Sequence, residues 1–180
     1  CLTLTELNLV WKPGSAVNNW NQIRSTFPNK KIRLYGPGTD SGTFGFFTEI
    51  INDKEGASRD DYTASEDDNV LVQGIAGDNY ALGYFGYAYY LINKDKLKVL
   101  GIDKEDGNGC IIPDSSTIDS ELYPITRPLY IYVNKFSYNT KPVVKEFVKF
   151  YMEQAAKLIT EIGYVPVKDE EYKSNLDKFK

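Results

Sequence analysis

No other stretch constrains the fold of this chain as tightly as residues 31–51. Lys31-Ile32-Arg33-Leu34-Tyr35 reads as a strand, Gly36-Pro37-Gly38 as a tight turn, and Phe44, Phe47, Ile50 and Ile51 recur at helical spacing. Ser41 stands where a helix N-cap belongs. The first turn of a helix has backbone N–H groups without partners, and its dipole carries partial positive charge. Gly42 lets a ligand approach the backbone, and the Ser41 and Thr43 hydroxyls add donors. Two readings fit: an oxyanion cradle at the helix start, or plain capping. The Gly-x-x-x-x-Gly-Lys-Ser/Thr spacing of a nucleotide P-loop is absent.

Composition narrows the chemistry around that turn. The 180 residues, 42% hydrophobic and 26% charged, suit one compact domain or a large lobe of something bigger. Residues 1–180 are expected to form a single α/β domain. The net charge of -4 and the lack of a basic patch argue against a nucleic-acid partner. An anion would be held by local dipoles and an arginine, not by a global field. There is no histidine, which removes Ser-His-Asp and Cys-His catalysis. No metal-ligand spacing and no cofactor motif stands out, so no cofactor is expected. Cys1 and Cys110 either form one bridge or remain two free thiols. No apolar run reaches the length of a membrane span. The opening at Cys1, without methionine or leader, reads as a trimmed or processed chain.

Further along, Leu2 to Trp11 reads as an amphipathic helix with Thr3 and Glu6 at capping-box spacing. Trp20 is expected to pack on the core. Ser65-Glu66-Asp67-Asp68 reads as a second capping box, with Ser65 as N-cap, before a helix that turns Val70, Leu71 and Ile75 inward. The acidic run suits a first helical turn, and a catalytic or cation-binding role is the competing reading. Ala81 to Tyr90 reads as a strand apolar on both faces, and Leu97 to Ile102 as a shorter one. Leu129-Tyr130-Ile131-Tyr132-Val133 is the strongest strand signal. Thr140 is the expected N-cap of the longest helix, whose buried stripe is Val144, Phe147, Val148, Tyr151, Ala155 and Leu158 and whose end is Gly163. The tail from Asp169 reads as a surface helix. Strands alternating with helices argue for α/β architecture.

Several of these stretches together resemble one family. Gly36 to Phe44, Thr63 to Gly74, Ala81 to Tyr90, Tyr123 to Val133 and Ile162 to Val167 closely resemble the phosphate-binding proteins of bacterial ABC phosphate transporters, the PstS/SphX type. The resemblance covers almost the whole chain. It implies a type II periplasmic-binding-protein-like lobe with a mixed sheet flanked by helices, two such lobes closing over inorganic phosphate. It also implies an extracytoplasmic location, often with lipid anchoring, and delivery of phosphate to a membrane ABC permease. The chain resembles the second lobe plus the C-terminal segment, so the missing N-terminal lobe would lie upstream of Cys1.

Carried across by position, the resemblance places phosphate contacts at Ser41, Gly42 and Thr43. Many relatives have an arginine four residues before the serine, where this chain has Pro37. Arg59 is the nearest candidate to replace it by forking onto two phosphate oxygens; pairing with Asp60 or Asp61 is the competing reading. Asp40, by adjacency, is the candidate for the carboxylate that accepts the proton of monobasic phosphate and repels sulfate.

The expected function is therefore phosphate binding without catalysis. Another oxyanion, sulfate above all, is the close alternative. From a different class comes a serine-dependent phosphohydrolase, with Ser41 as nucleophile and Asp40 as its activator. A third reading is an interaction module that assembles with its missing half.

Overall fold

The structure, a computed structural model, describes residues 1–178. It opens with strand β1 (Leu2–Thr3) and helix α1 (Leu4–Trp11). The capping box is in place: Thr3 Oγ1 accepts the Glu6 N–H at 3.1 Å, and the Glu6 carboxylate accepts the Thr3 N–H at 2.9 Å. There follow β2 (Arg33–Gly36), α2 (Gly42–Asn52), β3 (Thr63–Ala64), α3 (Asp68–Ala76) and β4 (Ala81–Gly83). These three strands form a parallel sheet in the order β3-β2-β4. After α4 (Tyr87–Leu91) come β5 (Ile102–Asp103) and β6 (Cys110–Ile111). They build a second sheet, β1-β5-β6, parallel between β1 and β5 and antiparallel between β5 and β6. Four helices close the chain: α5 (Ser115–Asp119), α6 (Lys135–Thr140), α7 (Pro142–Glu161) and α8 (Asp169–Asp177). The α/β class expected from the sequence is met, with two short sheets in place of one.

One core joins both sheets. Leu2, Leu7, Val10, Trp11, Leu34, Phe47, Ile51, Leu82 and Ile102 are all buried in it. Trp11, 1% exposed, makes edge contacts with Phe47, Tyr62 and Tyr84 at centroid distances of 5.7, 5.5 and 4.9 Å. Trp20 packs on the same cluster, as expected, and its Nε1 donates to the Tyr80 carbonyl. Helix α3 lies so close to β2 that a Cβ on Gly74 would clash with the Tyr35 ring. A disulfide links Cys1 to Cys110, tying the chain start to β6.

Several expectations are corrected. The capping residue of α3 is Asp67, not Ser65. The Ser65 N–H is drawn to the Gly36 carbonyl beside the β2–β3 ladder, so its backbone stays extended and the helix starts later. Leu71 and Val72 are the buried residues of α3, while Val70 is exposed. The run from Ala81 stops being a strand at Gly83, which pairs with Tyr35 one residue before β2 ends; residues 87–91 become helix. Of residues 97–102 only Ile102 is strand. Residues 129–133 form no strand at all. Among the described residues nothing pairs with their backbone, and a strand without a partner has no ladder to hold it.

Thr140 ends α6 instead of starting α7, its hydroxyl bonded to the Phe136 carbonyl at 2.7 Å; Lys141 is the N-cap and Pro142 the first helical residue. Within the stripe expected along α7 only Val148 and Ala155 are buried; Phe147 is 63% exposed. That helix packs mainly on α6 and α8, with Val144 and Tyr151 half-buried, while Val143, Phe147, Phe150 and Leu158 stay exposed. Gly163 follows its end with φ +85°, and α8 is the expected surface helix.

Candidate functional site

The parallel strands β3, β2 and β4 end on the same side, where α2 and α3 begin. In open α/β sheets the crevice beyond these strand ends is where ligands bind. The β2–α2 turn is held there from several directions. Pro37, fully buried, accepts the Tyr62 hydroxyl on its carbonyl at 2.9 Å. The Ser41 N–H bonds the Gly38 carbonyl at 3.1 Å, and the Asp40 N–H reaches Glu66 Oε1 at 3.4 Å. Burial pushes the Tyr62 and Tyr84 hydroxyls up, so both stay protonated beneath the turn at neutral pH.

Ser41 does cap α2. Its Oγ accepts the Thr43 N–H at 3.1 Å, and its carbonyl accepts the Gly45 N–H at 3.1 Å. Capping uses one amide and leaves others. Among the described residues the N–H groups of Gly42 and Phe44 and the Thr43 hydroxyl have no hydrogen-bond partner. Unpaired donors at the positive end of an 11-residue helix suit an anion. A side chain on Gly42 would intrude on this face, its Cβ lying 3.1 Å from Arg127 Nη2.

Ser41, Gly42 and Thr43 are thus brought together, and Asp40 stands exposed on the same turn. Arg59 is elsewhere. It is 6% exposed; its Nη1 donates to the carbonyls of Val10 and Val17, and its Nε and Nη2 fork onto Asp61. That bond draws the Asp61 carboxyl below its usual range. The expectation that Arg59 forks onto an anion is therefore corrected: its guanidinium ties α1 to the loops around it. The competing pairing with Asp61 is the one observed.

The acidic run after β3 serves as capping. Asp67 accepts the Asn69 N–H at 2.9 Å, and burial raises the Asp68 carboxyl. Glu66 instead turns toward Gly38 and Asp40.

The sequence reading gave no role to Arg127, whose guanidinium reaches the start of α2 and lies 5.1 Å over the Phe46 ring. Its only sequence signal is a cation within the apolar segment Tyr123 to Val133. No metal-binding group of His, Cys, Asp and Glu occurs among the described residues.

Comparison with known proteins places the chain in a family. The chain is 46% identical to protein SphX of Synechocystis sp. over 98% of its length, and 37% identical to the phosphate-binding protein PstS of Staphylococcus aureus over 89%. It spans about half of these relatives, 52% and 48% of their lengths. A crystal structure of a "possible phosphate binding protein" from Planctomyces limnophilus superposes with a TM-score of 0.85 at 42% identity, covering 99% of this chain and 63% of that one. The family model for the PBP superfamily domain matches residues 2–155, and the chain belongs to that family.

Proposed function

We propose that this chain is one lobe of a two-lobe extracytoplasmic protein that binds inorganic phosphate and delivers it to a membrane ABC permease, without catalysis. The observation that carries the proposal is the set of unpaired donors at the start of α2: the Gly42 and Phe44 N–H groups and the Thr43 hydroxyl, with the Ser41 O–H beside them. Relatives named for phosphate binding match 89% of the chain at 37% identity. Phosphate oxygens would take the places of water on these donors, the helix dipole favouring their charge. Asp40 would accept the proton of monobasic phosphate from the rim.

Three further observations support the reading. The Cys1–Cys110 disulfide suits an oxidising, extracytoplasmic setting. The chain spans half of its curated relatives, leaving room for a second lobe. Leu129, Tyr130, Tyr132, Phe136 and Phe147 expose the apolar surface such a lobe would cover. One lobe supplies half of a shell, so the 180-residue chain alone binds weakly, and closure of a second lobe over the anion strengthens each charge-assisted bond.

Calorimetric titration with phosphate, and with sulfate as competitor, tests this on the two-lobe protein and on the single chain. Phosphate-selective binding by the former, lowered about 100-fold or more by Ser41→Ala with Thr43→Ala, is the expected result. Failure of the two-lobe protein to bind phosphate overturns the proposal, and tighter binding of sulfate replaces its ligand.

A further inference from the structure

We infer that Arg127 is the cationic grip of the anion site, and that through it anion binding tethers the 124–133 connection to α2. The inference rests on the phosphate-binding reading above and adds a residue from a distant part of the chain. Its basis is an electrostatic mismatch. Arg127 Nη2 faces Gly42, the first residue of α2, so a full positive charge sits against the positive end of a helix dipole. Among the described residues no carboxylate pairs with Arg127. What holds this exposed side chain there is a cation–π contact: its guanidinium lies over the ring of Phe46, one turn into the same helix. Two positive groups side by side are unfavourable until an anion bridges them. The Gly42 and Phe44 amides on one side and the guanidinium fork on the other are the donors a tetrahedral oxyanion accepts.

The position of Arg127 in the chain gives the contact a second consequence. No backbone hydrogen bond involves residues 124–133 among the described residues. The guanidinium on Phe46 is one point at which this connection meets the parallel-sheet unit, and Ile125, packed on the core, is another. An anion gripped by both sides adds charge-assisted bonds at that point and holds the connection to α2.

Phosphate titration of the two-lobe protein, comparing wild type with Arg127→Gln, Arg127→Lys and the Ser41→Ala/Thr43→Ala double variant, decides the matter. Arg127→Gln is expected to weaken phosphate binding roughly 10- to 100-fold, and Arg127→Lys, which keeps the charge and loses the fork, by roughly 3- to 10-fold. Added salt weakens the wild type more than Arg127→Gln. Hydrogen exchange within residues 124–133 slows on phosphate addition in the wild type and not in Arg127→Gln. Arg127→Gln binding phosphate as well as the wild type, while the double variant does not, overturns this inference and leaves the cradle standing. A fall of more than about 5 °C in the anion-free melting temperature of Arg127→Gln assigns the residue to packing on Phe46 and overturns it too. A wild type that ignores phosphate removes the functional reading and this inference together.

Discussion

Residues 1–102 and residues 129–177 carry similar amphipathic patterns and end in opposite states. In the first region Leu2, Val10, Trp11 and Leu71 are at most 1% exposed. In the second, Phe147 is 63% exposed, Val143 75% and Tyr132 93%. The pattern marks a face that gains from being covered, but burial requires a neighbour of matching shape. Around Trp11 two sheets and two helices converge from distant parts of the sequence, whereas α7 packs mainly on α6 and α8. The unpaired donors of α2 stand on the covered region, and Arg127 stands on the connection toward the uncovered one.

The largest expected effect comes from emptying the covered region. Trp11→Ala should cost about 3–5 kcal/mol in denaturant unfolding, because it removes a fully buried ring that touches three other aromatics. A loss below about 1 kcal/mol would show that this core is loosely packed. Next comes the disulfide across the second sheet: Cys110→Ser should cost about 2–5 kcal/mol, since the bridge closes a sequence separation of 109 residues.

Smaller is the effect of Glu6, which caps α1 and pairs with Arg24. Burial raises its carboxyl, but the bonds from Arg24 and the Thr3 N–H outweigh that and hold it below the usual glutamate range. The unfolded state therefore binds this proton more readily than the folded state. Glu6 contributes stability above its unfolded pKa, and that contribution is lost as pH falls through the lowered folded value. Glu6→Gln should cost about 1 kcal/mol at neutral pH and flatten the acid limb of the stability curve. An acid limb identical to that of the wild type would place the linkage elsewhere.

At the bottom of the scale, Phe147→Ala should change the stability of the 180-residue chain by less than about 0.5 kcal/mol. A cost near that of Trp11→Ala would erase the contrast between the two regions. In the two-lobe protein the same substitution should become the more damaging by about 1–3 kcal/mol, as the covering surface is lost.

Local features were legible before the structure. Thr3 with Glu6, and Ser41 before Gly42, are caps whose donors and acceptors lie within three residues, so spacing alone finds them. The cap of α3 slipped from Ser65 to Asp67 because the competing bond, from Ser65 to Gly36, crosses 29 residues of sequence. Leu129 to Val133 has the composition of a strand, yet ladder partners must come from elsewhere and none is present among the described residues. Ala81 to Tyr90 is the intermediate case: residues 81–83 pair with β2, residues 84–86 have no regular structure, and helix begins at Tyr87.

The sequence by itself determined the α/β class, the caps of α1 and α2, and the cluster Ser41, Gly42 and Thr43, which rest on neighbours along the chain. Only the tertiary structure decided which apolar faces are buried, that Arg59 is spent on Asp61 and two carbonyls, and that Arg127 stands at the start of α2. Those outcomes depend on groups tens of residues apart, and where a long cationic side chain ends is set by the partner that packing brings within its reach.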